Sequence, residues 1–88
     1  MNIIRKKITS MYYSDVVDGT KTFELRYNDW DCVVGHKILL QEVDDITYEY
    51  TGKMCLVEVT YILPQYMDIL RKDWIIFSFK MVCVFDQP

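Results

Sequence analysis

The sequence predicts one small α+β domain in which strands outnumber helices, and three observations carry that reading. The chain has 88 residues, which is room for a single core. Apolar residues make up 51% of it and aromatics 15%, a supply that a disordered chain lacks. Apolar positions alternate in most segments, and the helical spacing of three and four occurs clearly in only one. At this length folding buries roughly 60–65% of the unfolded surface, and each large apolar side chain that is fully buried contributes about 1.5–3 kcal/mol. The composition is what makes so short a fold viable.

Ile3, Ile4 and Ile8 around the basic run Arg5-Lys6-Lys7 predict a first strand. Ser10 is placed to cap a short helix over residues 11–18, whose apolar face is Tyr12, Tyr13, Val16 and Val17. Gly19 follows, where a helix end favours a residue able to adopt positive φ. From Thr22 the period becomes two, with Phe23, Leu25 and Tyr27 on one side and Glu24 and Arg26 on the other. Asn28 and Asp29 mark a turn.

Val33, Val34 and Gly35 lead into a third strand over residues 37–43, which Asp44 and Asp45 end. Residues 48–50 are ambiguous, and Thr51-Gly52 signals a turn before a strand over residues 54–63. Pro64 closes that strand, and residues 65–71 have room for one or two helical turns. Residues 74–84 are almost continuously apolar, which predicts a strand that is central or closed into a barrel.

The longest apolar runs fall well short of the roughly 20 residues needed to cross a bilayer, and no signal-peptide pattern is present. A soluble, cytoplasmic protein with no membrane contact is expected. Cys32, Cys55 and Cys83 are odd in number and form no Cys-x-x-Cys pair, and His36 is the only histidine. Neither zinc nor any other metal or cofactor is therefore expected, and the thiols read as small reduced hydrophobes. A net charge of −3 excludes a protein that coats nucleic acid through bulk electrostatics. Screening confines each charge to about 8–10 Å, so nucleic-acid contact would have to rest on a local basic cleft.

Lys21, Glu24 and Arg26 are the candidate site. Lys21 and Glu24 straddle the helix-to-strand corner, and Glu24 and Arg26, two apart on a strand, share a face. Two cations around an anion offer donors and an acceptor to a flat polar ligand, and arginine suits bidentate contact with phosphate or a base edge. A desolvated Lys21 would have the chemistry of a base or nucleophile. The plainer alternative is a solvent-facing ion pair worth 0 to about 1 kcal/mol. Tyr27, Trp30, Tyr48 and Tyr50 are either stacking platforms or barrel filling, with Trp30 singled out for stacking by its polar neighbours. His36 reads as a turn residue, and Glu42, Asp44 and Asp45 as a solvated loop.

The ordered series Gly19, Lys21-Thr22-Phe23-Glu24, Arg26, Asn28-Asp29, Asp31 and Val34-Gly35 resembles the signature of a small ASCH/PUA-like family. Its members are uncharacterised proteins frequent in bacteria and their phages. Tyr50-Thr51-Gly52-Lys53, Val59-Thr60-Tyr61-Ile62 and the segment 74–80 extend the likeness over nearly the whole chain. The resemblance implies a PUA-like/ASCH β-barrel of about five to six mixed strands with one or two short helices. It implies a cleft binding RNA or a nucleotide-like ligand, lined by Lys21, Thr22, Glu24, Arg26, Asn28, Asp29 and Trp30.

Some relatives are amidohydrolases acting on a modified nucleoside, through a lysine, a threonine and a distant glutamate. Here the lysine falls on Lys21 and the threonine position on Glu24, and the glutamate has no counterpart, so a binding module without catalytic residues is expected. Thr20, Tyr27 and Trp30 stand where the family carries basic residues. Either this member contacts few phosphates, or it is turned toward another partner. That partner would be a basic host protein, as for a phage-type anti-defence inhibitor. The strand edges also permit a homodimer.

Overall fold

The computed structural model describes residues 3–63 and 72–85. Five strands and one helix follow the order β1 (Ile3–Thr9), α1 (Ser10–Val17), β2 (Phe23–Tyr27), β3 (Lys37–Val43), β4 (Tyr50–Leu63) and β5 (Trp74–Phe85). The strands form one mixed sheet in the order β1-β3-β4-β5-β2. Only β1 and β3 are parallel, so the chain between them must cross over, and α1 and β2 lie on that crossover. The sheet curls into a half-barrel. The helical turns expected over residues 65–71 lie outside the described residues.

Alternation places the core as the sequence requires. Ile38 and Leu40 on β3, Cys55, Val57 and Val59 on β4, and Ile75, Phe77 and Phe79 on β5 are all buried. Ile8 of β1 and Tyr13 and Val16 of α1 close over them. Tyr13 and Val16 are three apart and so share a face of the helix, whereas Tyr12 is turned outward. Cys32 and Cys55 are buried, as expected of small hydrophobes, but Cys83 is exposed. It lies on the distal half of β5, where residues 81–85 extend past β2 and pair with β4 alone. Only the first half of β5 is therefore central.

Three local expectations are corrected. Ser10 is not the cap: the N-cap is Thr9, which makes no side-chain cap bond, and the Ser10 hydroxyl donates to Val43 O at 3.1 Å. The cap is tertiary, because Asp45 Oδ1 accepts from Met11 N at 3.2 Å across 34 residues. The turn after β3 is not at Thr51-Gly52 but over residues 44–49. Asp44 Oδ1 accepts there from the backbone N–H groups of Ile46 and Thr47, which hold its carboxyl below the usual carboxylate range. Gly52 lies inside β4 with φ +94°, beside the register shift between Gln41 and Val43. Glu42, read as part of a solvated loop, is a buried β3 residue that accepts the Thr51 hydroxyl at 2.6 Å.

Gly19 does end the helix, at φ +86°, with open space where a Cβ would stand. Gly19→Ala is therefore expected to lower stability by about 1 kcal/mol, through backbone strain alone. That corresponds to a fall of roughly 4–8 °C in the thermal midpoint, read by circular dichroism.

Candidate functional site

A sheet curled this far brings its two edge strands, β1 and β2, toward each other, and side chains bridge them. The Arg26 guanidinium donates to Lys7 O at 2.7 Å, and Lys6 Nζ pairs with Asp29 Oδ1 at 3.0 Å, just beyond the end of β2. Along this open seam runs a groove of about 730 Å3. Its charged lining is Lys6, Lys7, Lys21 and Arg26 against Glu24 and Asp29, four cations and two carboxylates, on a chain whose net charge is −3. Tyr12, Tyr27, Tyr48 and Trp74 supply aromatic walls.

Lys21, Glu24 and Arg26 converge as the sequence predicts. Glu24 is the hub: its Oε1 lies 3.1 Å from Lys21 Nζ, and its Oε2 accepts from Arg26 Nε at 2.8 Å. The trio is not a solvent-facing pair, since side-chain exposure is 8% for Glu24, 17% for Lys21 and 25% for Arg26. A carboxylate this buried requires both partners, because desolvating an ion unpaired costs several kcal/mol. Lys21 Nζ also donates to Phe23 O at 2.6 Å and sits 4.4 Å from the centre of the Phe23 ring. Its ammonium is thus spent on internal acceptors and an aromatic face.

The facing of β2 could not be read from alternation. Glu24 and Arg26 turn into the curl, while Phe23, Leu25 and Tyr27, on the other face of the strand, are about half exposed and reach the rim of the groove. Glu24 stands opposite Phe77 in the β2–β5 register, so the carboxylate borders the apolar core.

The remaining expected residues divide. Asp29 lines the groove, and Lys6 beside it holds its carboxyl below the usual range. Thr22 is exposed outside the groove and extends the β2–β5 ladder by accepting from Phe79 N at 3.0 Å. Asn28 is architectural: its Oδ1 accepts from Cys32 N at 2.9 Å, and its N–H donates to Asp73 O at 2.7 Å.

Trp30 packs on the core, edge-on to Phe77 with ring centres 6.1 Å apart, under Lys6 Nζ at 4.2 Å. Its Nε1 is buried without an acceptor in regular hydrogen-bond geometry, although the neighbouring Cys32 sulfur feels it. Burial pushes the Cys32 thiol up, and the indole pulls it partly back. His36 is a turn residue, with its N–H on Val33 O and its Nδ1 accepting from Val33 N.

Sequence reasoning missed Lys6, Lys7 and Trp74. The first two were legible only as a basic run interrupting an apolar strand. Their approach to Arg26, about twenty residues away, is a product of the sheet's curl.

Among the described residues, a half-barrel sheet with one helix and a basic, aromatic-walled seam defines a small α+β domain. Among the described residues, no helix is long and apolar enough to cross a membrane. The chain belongs to the family described as Domain of unknown function (DUF3850), whose model matches residues 5–79. No curated protein matches the chain.

Proposed function

We propose that the half-barrel is a PUA-like/ASCH domain and that its seam binds RNA or a nucleotide-like ligand. The observation that carries the reading is the charge contrast: cations outnumber carboxylates two to one in a groove of an acidic chain. Anionic ligands concentrate where such cations line a low-dielectric wall, and the wider acidic surface repels them elsewhere. The volume falls within the range of about 300–1,000 Å3 usual for small-ligand sites. Aromatic walls add faces on which any base can stack.

Binding is the role assigned, not hydrolysis, because the one lysine with a catalytic precedent in the resemblance donates to Glu24 and Phe23 O.

The test is fluorescence anisotropy with a labelled random RNA pool at low salt. Saturable binding that weakens with salt is expected. Arg26→Ala should weaken it and lower the salt slope by about 0.7, the value for one lost phosphate contact on a single strand. No binding at low salt, or an Arg26→Ala protein that binds like the parent, would remove the proposal.

A further inference from the structure

The four groove cations are not equivalent. Lys6 has Asp29 within 3.0 Å, and Lys21 and Arg26 share Glu24. Lys7 has no carboxylate partner among the described residues. It stands instead between two tyrosine rings, with Nζ 5.5 Å from the centre of Tyr48 and 5.3 Å from that of Tyr50.

Tyr48 is held there at a cost. Its φ is +62°, a left-handed conformation that a bulky side chain rarely adopts. The turn over residues 44–49 imposes it: Tyr48 N donates to Asp44 O at 3.0 Å, and Asp44 N donates to Glu49 O at 2.9 Å. The ring gains little burial in return, being 56% exposed and lining the groove. A strained, exposed aromatic beside an uncompensated cation is a poor structural element and a good ligand contact.

We infer that Lys7 and Tyr48 form the primary subsite of the seam, Lys7 taking a phosphate and Tyr48 stacking an unpaired base. The ligand class is therefore single-stranded nucleic acid. This rests on the reading of the seam as an RNA or nucleotide site and adds which residues select the ligand. In a duplex the base faces are stacked on each other and closed to Tyr48, leaving only phosphates to bind. With two of the four cationic charges already offset by Glu24 and Asp29, a duplex gains little. A single strand offers both phosphates and a free base face, and with two surplus cationic charges its binding should show a salt slope of about 1.4, far below that of proteins making six to ten phosphate contacts.

The experiment compares an unstructured labelled RNA with a duplex of equal length, using the parent protein, Tyr48→Gly and Tyr61→Ala. Glycine relieves the positive φ, so Tyr48→Gly should unfold at or above the parent's urea midpoint while its single-strand affinity falls about tenfold or more. Tyr61, an exposed tyrosine outside the groove, should be replaceable by alanine without change in affinity. The duplex should bind at least about tenfold more weakly than the single strand.

Single-strand binding that survives Tyr48→Gly, or equal binding of duplex and single strand, would overturn the subsite and leave the seam proposal standing. No binding to either RNA would overturn both.

Discussion

Phe77→Ala is expected to lower the unfolding free energy by about 3–5 kcal/mol, the usual cost of emptying a buried aromatic site. Phe77 is 1% exposed and central in every sense that matters here. It packs edge-on against Trp30, lies tilted against Phe79 at 6.3 Å, and stands opposite Glu24 on the neighbouring strand. A domain of this size has a margin near the low end of about 5–15 kcal/mol, so the variant should be only marginally folded at 37 °C. Urea unfolding followed by tryptophan fluorescence reads the loss, since Trp30 reports on the same cluster. Phe77→Leu should recover much of it, because a smaller cavity remains. An alanine variant within about 1 kcal/mol of the parent would mean that the curl is not packed as described.

Glu24→Ala is expected to cost about 2–3 kcal/mol. That lies below the 3–5 typical of breaking a fully buried pair, because Lys21 and Arg26 both keep some access to water. The mechanism is like-charge exposure: the substitution leaves an ammonium and a guanidinium that had converged on one carboxylate. Glu24→Gln keeps the shape and an acceptor oxygen and should cost less.

The functional consequence has the opposite sign. Removing the hub frees both cations, so the folded fraction should bind anionic ligands at least as tightly as the parent, with a steeper salt dependence. Anisotropy titrations at several salt concentrations, with stability measured in parallel, separate the two effects. A loss of binding without a loss of stability would instead make Glu24 a direct ligand contact.

The groove owes its position to an incomplete closure. A sheet of five strands has two edges, and in this chain the curl brings them face to face without joining them. Arg26 substitutes one side-chain bond to Lys7 O for the ladder that would have sealed the barrel. The seam therefore offers side-chain cations from β1 and β2 together with backbone from a strand that is an edge among the described residues, which is why a single point in the fold collects so much polar chemistry.

Several elements were legible because their causes are local. β3 runs from Lys37 to Val43 as its apolar run and the following Asp44-Asp45 predict. The start of β5 at Trp74 and the positive φ of Gly19 also follow from residue type and spacing. Where local signals competed, tertiary partners chose between them. Thr51-Gly52 carries a turn signature, but Asp44 makes the better turn and Gly52 serves a bulge. Ser10 suits a cap, but Val43 O takes its hydroxyl and Asp45 caps in its place.

The sequence alone determined the strand-rich α+β class, the placing of one helix after the first strand, and the meeting of Lys21, Glu24 and Arg26. Each depends on periodicity or on neighbours a few residues apart. Only the tertiary structure decided which face of β2 turns inward, that Trp30 belongs to the core, and that Lys6 and Lys7 complete the groove. Alternation is unchanged when a strand is rotated by half a turn, so it divides residues between two faces without saying which one meets the core. That choice is made by the curl of the whole sheet, through contacts no local pattern encodes.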